Sequence, residues 1–311
     1  MRGVFHFIVA TVATVLLVGC EKPAPQPAPP TAAETVGREQ RVVVLSPALA
    51  VIVRDLGYAD RVVARHAYDD VLPRELPAVG DQAGIDYEAL VRARPTHVLI
   101  QWGARELPER LTQLAQSNGW QVTNSNPLTL IDIERSVREI DGSLAASASP
   151  TPTAQSLLHA LEVLRTSSQD DPAQVTPAWG PILLLASTDP PAALGPGSCH
   201  DEILRGVGGI TAIAEGSPWM ELSREDLVRM QPRAIILVRP RSARGVTDAD
   251  GPTDATSKDA WQPLRELGLT AISENRFAVI DDPEALLPST SMIRVADTMR
   301  KMILSWKSEA K

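Results

Sequence analysis

The chain has 311 residues, 44% hydrophobic and 22% charged, an ordinary globular composition that allows one large domain or two lobes of about 120–130 residues each. A formal net charge of −8 argues against a nucleic-acid binder, which needs clustered Lys and Arg to neutralise phosphates. The two cysteines, Cys20 and Cys199, exclude a disulfide-stapled fold and a cysteine-rich zinc site.

Arg2 opens a short basic stretch, and Val4 to Val18 is almost continuously apolar, broken by His6, Thr11 and Thr14. A bilayer-spanning helix needs about 20 such residues, so this shorter run fits the apolar core of a secretion signal. It ends in Leu17-Val18-Gly19-Cys20, which resembles a bacterial lipoprotein signal. Residues 1–20 are therefore expected to be a signal peptide with Cys20 as the lipidated residue. The alternative is a non-lipidated signal with an incidental cysteine. Residues 21–40 carry prolines at 23, 25, 27, 29 and 30 with interleaved alanines, a composition that favours an extended tether. The expected location is extracytoplasmic, in the periplasm or at the cell surface, held to a membrane by acyl chains. ATP is not an expected substrate there.

From Arg41 onward, short apolar runs alternate with amphipathic stretches. Arg41-Val-Val-Val-Leu45 reads as a buried strand. Ser46 is placed to cap a helix that has Pro47 at its first position, where the missing N–H costs nothing. That helix buries Leu49, Ile52, Val53 and Leu56 and stops at Gly57. Arg61 to Ala64 is a second strand, leading into the polar run from Arg65 to Asp70. Strands alternating with helices predict an α/β fold with mostly parallel sheets.

A repeat supports two lobes of the same build. Residues 85–100 align without gaps on 222–237, with Glu88/Glu225, Leu90/Leu227, Val91/Val228, Arg92/Arg229 and Pro95/Pro232 identical. Each copy has a capping residue, Asp86 or Ser223, then a short helix, a proline stop and a buried strand. The predicted organisation is an N-terminal α/β lobe over 41–150, a linking helix over 151–170 and a C-terminal α/β lobe over 171–311. Leu157, Leu158, Leu161 and Leu164 set the helical spacing of the linker. Ser242 to Asp259 reads as an exposed loop and Thr290 to Trp306 as a last amphipathic helix.

From Arg41 to the C-terminus the chain resembles the helical-backbone, or class III, substrate-binding proteins of ABC importers, a family that serves cobalamin, ferric siderophores, haem and metal ions. The resemblance is carried by Val43-Val-Leu-Ser-Pro-Ala48, by Leu76-Pro-Ala-Val-Gly80 followed by Ile85-Asp-Tyr-Glu88, and by the strand start Arg94-Pro-Thr-His-Val-Leu99. In the second half it is carried by Asp201-Glu-Ile-Leu-Arg-Gly-Val-Gly-Gly209 and Pro218-Trp-Met-Glu-Leu-Ser-Arg-Glu225. It implies two lobes, each with a central sheet flanked by helices, joined by one long rigid helix, with ligand in the intervening cleft. It implies a monomer that docks to permease subunits through Glu88 and Glu225. Around the cleft the likeness is to the cobalamin-binding branch. Tyr68, Trp102, Trp219 and Asp282 fall on or beside its ligand-contact positions, and Ser46, His66 and Gln82 are expected to join them in binding the ligand. Gln82 replaces a cleft tryptophan, and Leu286 replaces an arginine contact.

The residues themselves fit a binding role. In α/β sheets ligands sit beyond the carboxyl ends of strands, and His66, Tyr68, Trp102, Asp189 to Gly197 and Asp281-Asp282 all follow apolar runs. Tyr and Trp offer rigid flat surfaces suited to a macrocycle, although Trp102 and Trp219 could instead pack within the lobes. His66 could coordinate cobalt or iron, bond a ligand amide or cap a loop. No resident cofactor is expected. The ligand is expected to be a corrinoid, with haem or a ferric siderophore as the alternative. A hydrolase using Ser198 or Cys199 with His200 is a remote alternative, because adjacent residues are poorly placed for a triad and no Gly-x-Ser-x-Gly elbow occurs.

Overall fold

The computed structural model describes residues 39–81, 83–145, 147, 149–167, 180–240 and 254–309, with the side chains of 254–259 and 307–309 excepted. The expected signal, the expected tether as far as residue 38, Gln82 and the last residues of the expected linker lie outside them.

The first half runs β1 (Val42–Leu45), α1 (Pro47–Asp55), β2 (Val62–Arg65), β3 (Gly80–Asp81), β4 (Gly84–Ile85), α2 (Tyr87–Ala93), β5 (His97–Ile100), α3 (Glu109–Asn118), β6 (Gln121–Asn124) and α4 (Leu130–Leu144). Helix α5 (Pro152–Ser167) follows. The second half is β7 (Ile182–Thr188), β8 (Pro191–Leu194), α6 (Cys199–Gly206), β9 (Trp219–Glu221), α7 (Arg224–Met230), β10 (Ala234–Arg239), α8 (Asp254–Arg265), α9 (Thr270–Ser273), β11 (Phe277–Asp281) and α10 (Met292–Glu309). The first sheet has the order β2-β1-β5-β6 and is parallel throughout. The second has the order β11-β10-β7-β8-β9; its first three strands are parallel and β8 and β9 extend it antiparallel. The expected α/β fold with two sheets is therefore present.

Strand alternation explains how the sheets are covered. Val42 and Val44 of β1 enter one apolar cluster, while Val43 and Leu45 enter another on the opposite face. In β7 Ile182 and Leu184 join the first cluster, and Leu183 and Leu185 turn away from it. The shared cluster includes Leu49, Ile133, Leu161, Ile203 and Met299. Helices α1, α4, α5, α6 and α10 thus form a layer between the two sheets, and one continuous core serves both halves. Buried strands of this kind read as unbroken apolar runs. Helix α1 is also apolar nearly all round, because it is covered on every side.

Each predicted cap is present. Ser46 accepts from Leu49 N–H, and Asp86 accepts from Glu88 and Ala89 N–H. Ser223 forms a reciprocal capping box with Asp226. The repeat is also a structural one. Helices α2 and α7 both end on left-handed residues, Arg94 (φ 47°) and Gln231 (φ 43°), before Pro95 and Pro232, and both lead into central strands. Helix α5 spans 16 residues, about 24 Å. Arg165 pins it to α4 by donating to Glu134 at 2.9 Å.

One expectation is corrected. Helix α8 starts at Asp254, within the stretch read as a loop to Asp259. Trp261 and Leu264 are buried three positions apart in the outer core of the second sheet, a spacing that a helix satisfies and a loop does not. Residues 241–253 of that stretch lie outside the described ones.

Candidate functional site

A cavity of about 550 Å³ opens at the carboxyl ends of β1, β2 and β5. Ser46, His66, Tyr68, Asp81, Trp102 and Arg105 are among its lining residues. This is where parallel sheets place ligands, since strand ends and helix starts converge there.

Ser46 is 4% exposed. Besides capping α1, its hydroxyl donates to Gln101 Oε1 at 2.7 Å. Gln101 Nε2 reaches Asn126 Oδ1 at 3.4 Å. A polar strip therefore runs across the strand ends, into a second cavity of about 290 Å³ lined by Asn124, Asn126, Arg135 and Glu139. Asn124 fixes the turn after β5, accepting from Trp102 N–H at 2.9 Å and donating to Gly103 O at 3.0 Å. Gly103 adopts φ +75°, a conformation that side chains rarely take.

The 66–74 loop is gathered by Arg65, whose guanidinium donates to the carbonyls of His66, Ala67, Asp69 and Arg74. Tyr68 N–H donates to His66 Nδ1 at 3.2 Å. Burial holds the His66 pKa below its ordinary value, with the Asp81 carboxylate pulling the other way. The neutral ring therefore carries its proton on Nε2, and its Nδ1 lone pair is occupied. Metal ligation would require the other tautomer and loss of that bond. Tyr68 is 63% exposed beside it, with ring centroids 5.8 Å apart. Its hydroxyl has no hydrogen-bond partner among the described residues.

Trp102 is half-buried. One side lines the cavity, and the ring also packs against the outer core of the first sheet. Its indole N–H donates to Glu106 O at 3.0 Å. Trp219 lies on β9 opposite Leu194, half exposed, and is not among the residues lining this cavity. Asp282 is also outside it. One carboxylate oxygen accepts from Glu284 N–H at 2.8 Å, and the other faces Arg294 at 3.5 Å. Its local role is to shape the turn after β11. Gln82 lies outside the described residues, between the cavity-lining Asp81 and Ala83. Of the expected set, Ser46, His66, Tyr68 and Trp102 are brought together. Asp189 to Gly197, expected beyond a strand end, itself contains strand β8.

Glu88 and Glu225 occupy equivalent first-turn positions of α2 and α7, where a carboxylate suits the helix dipole. Both are exposed and neither has a hydrogen-bond or ion-pair partner among the described residues. Val91 and Val228, one turn on in each copy, are exposed too, at 42% and 44%.

Cys199 Sγ lies 3.6 Å from His200 Nδ1, but both side chains are buried away from solvent. Ser198 caps α6, accepting from Asp201 N–H while donating to Gly195 O. Cys199 is fully buried, and burial pushes its thiol far above the ordinary range. His200 is 3% exposed, and burial lowers its pKa. Its Nε2–H donates to Ala285 O at 2.7 Å, so it bonds across to the β11–α10 segment and neither caps the helix nor faces a cleft. No cluster of three His, Cys, Asp or Glu suited to a metal occurs among the described residues.

Gln101, Asn124 and Arg105 were not singled out by the sequence. Gln101 had a usable signal, because it is the first polar residue after the apolar run Val98-Leu-Ile100 that ends a buried strand. Asn124 and Arg105 had none, since their roles depend on where the turn after β5 meets β6.

Two sheets enclose a common helical layer, and a cavity opens at the strand ends of the first. No family model matches the chain. It is 23% identical over 242 residues to the vitamin B12-binding protein of Pectobacterium atrosepticum, covering 77% of this chain and 82% of that one. Among solved structures it is similar to the periplasmic vitamin B12-binding protein of Vibrio cholerae, with TM-score 0.61 at 20% identity, covering 86% of this chain and 97% of the other. It is equally similar to a periplasmic haem-binding protein of Roseiflexus, with TM-score 0.63 at 19% identity, covering 87% and 100%. The fold is that of the class III substrate-binding proteins, as the resemblance read in the sequence implied. These relatives are named as binding proteins. No helix among the described residues is long and apolar enough to cross a membrane.

Proposed function

We propose that the protein is the extracytoplasmic binding component of an ABC importer, anchored through lipidated Cys20 and a proline-rich tether, which captures a corrinoid and delivers it to permease subunits. The observation that carries this reading is the cavity at the ends of β1, β2 and β5, with Tyr68 and Trp102 presenting aromatic surface around a polar floor. Capture involves no bond making. Aromatic faces supply contact area, and a few fixed polar groups orient the ligand. The named vitamin B12-binding relatives favour a corrinoid. In this reading residues 41–150 and 171–311 are the two lobes, α5 is the rod between them, and the protein is a monomer. Glu88 and Glu225 engage basic residues of the permease, an assignment supported by their equivalent, exposed and unpaired positions.

A second reading, haem in the same cavity, is favoured by the exposed and unpartnered Tyr68 hydroxyl, because a tyrosine oxygen can serve as an axial ligand to haem iron. Spectral titration and calorimetry with cyanocobalamin, haemin and ferric chelates separate the readings. Saturable cyanocobalamin binding supports the first. A haemin complex whose iron–phenolate band is lost in Tyr68→Phe supports the second, and binding of none overturns both. Glu88→Arg and Glu225→Arg are expected to spare ligand affinity and to weaken uptake in cells. Unchanged uptake in either variant refutes the docking assignment.

A further inference from the structure

We propose that Arg105 reads an oxyanion on the rim of the bound ligand, holding a planar macrocycle by its acidic edge. This inference rests on the capture of a macrocycle argued above and adds to it the charge of the group recognised.

Arg105 lines the mouth of the larger cavity, and its guanidinium lies over the Trp102 ring, 4.7 Å from the centroid. Such a stack holds a cation in place without neutralising it. Trp102 is itself fixed, by its backbone N–H to Asn124 and its indole N–H to Glu106 O. The charge is therefore prepositioned on a rigid support. Arg54, Arg165 and Arg294 all meet carboxylates. Arg105 meets none among the described residues, although it is exposed.

Of the other ionisable groups lining this cavity, His66 is neutral, and the Asp81 carboxylate accepts from Ala83 N–H at 2.7 Å. Among the described residues lining this cavity, Arg105 is the one permanently charged cation, a strong attraction for an anion. Its planar fork matches a carboxylate or a phosphate and can keep one face on an aromatic ring while bonding at its edge. Two macrocycle classes carry such a group: corrinoids with a phosphodiester tail and haem with its carboxylates. In either case the ring would lie against the aromatic wall with its acidic edge at Arg105.

The test pairs ligands that differ in the oxyanion: cyanocobalamin against cobinamide, and haemin against its dimethyl ester. Calorimetry is run on wild type, Arg105→Gln and Arg105→Lys. Arg105→Gln is expected to weaken the oxyanion-bearing member about tenfold, the scale of one charge-assisted hydrogen bond, and to leave the other within about twofold. Arg105→Lys is expected to restore part of the loss. The pair that responds identifies the source of the anion. Equal loss on both members of a pair, or no loss on any ligand, overturns the proposal. If wild type binds neither macrocycle, the function proposed above fails, and inorganic phosphate then decides for Arg105. Phosphate is expected to change tryptophan emission in wild type but not in Arg105→Gln or Trp102→Phe, and its failure to do so in wild type overturns the assignment.

Discussion

Glu284 offers the sharpest test of how the two halves are held together. It follows β11 in the second half and is 8% exposed. Its carboxylate receives both Arg54 guanidinium nitrogens from α1 in the first half, one at 3.0 Å, and Arg294 of α10 at 2.7 Å. Asp55, next to Arg54, accepts from Thr290 at 2.6 Å. Burial alone would raise the Glu284 pKa, but the bonds from Arg54 and Arg294 win and hold it below its ordinary value. Breaking a fully buried ion pair costs about 3–5 kcal/mol. The Arg54 and Arg294 side chains keep 33% and 49% exposure, so water recovers part of this and about 2 kcal/mol is expected for Glu284→Gln. For a fold of this size that lowers Tm by roughly 4–8 °C. A group with a depressed folded pKa contributes stability above its unfolded value, near 4.3, and loses it as pH falls through the folded value. The Tm difference between wild type and Glu284→Gln is therefore expected at pH 7 and should shrink below about pH 4.5, as calorimetric scans across that range would show. A variant as stable as wild type at pH 7, or a gap undiminished in acid, refutes the argument.

Three further outcomes follow from the buried groups. Cys199 should resist alkylation at pH 8 in the folded chain and react only after unfolding, as mass spectrometry of a Cys20→Ser variant would show; rapid native labelling refutes its burial. His97 and His200 are both held below their ordinary pKa by burial. The unfolded chain therefore binds more protons below about pH 6.5, and their contribution to stability falls as pH drops through that value. Comparing Tm from pH 8 to 5.5 in wild type and His200→Asn should show a shallower decline in the variant, and equal slopes count against it. Ser46→Ala removes the cap of α1 and the bond to Gln101, so a loss of about 1–2 kcal/mol in urea unfolding is expected. A neutral result would mean that the cap is not needed.

The parts of this molecule that were legible in its sequence are those fixed by local rules. The Ser46-Pro47 helix start depends on neighbours within one turn, and so do the caps at Asp86 and Ser223. The repeat predicted two matching helix–strand units, and in both α2–β5 and α7–β10 a side chain caps the helix start, a left-handed residue ends the helix and an inner strand of the sheet follows. What was not legible depends on partners distant in sequence. Leu130 N–H at the start of α4 donates to the Glu202 carboxylate of α6 at 2.6 Å, while Cys199 N–H donates to Leu128 O. Neither half alone announces that exchange, nor the one between Arg54 and Glu284. Composition could suggest separate lobes with separate cores, whereas the helices between the sheets share one.

The same distinction explains why the site was only half readable. His66, Tyr68 and Trp102 could be placed because each follows an apolar run, and a strand's end is a local event. Asp282 also follows a strand, yet its carboxylate is committed to Glu284 N–H and Arg294. Position relative to a strand therefore selects candidates without showing whether their hydrogen-bonding capacity is free. Arg105 presents the converse, a residue with no positional signal that the fold leaves uncommitted at a cavity mouth, stacked on Trp102. On the function proposed above, affinity comes from groups the fold has held in place but not satisfied. An account of which polar groups remain unpaired around the strand ends is therefore a better guide to the ligand than the residue types found there.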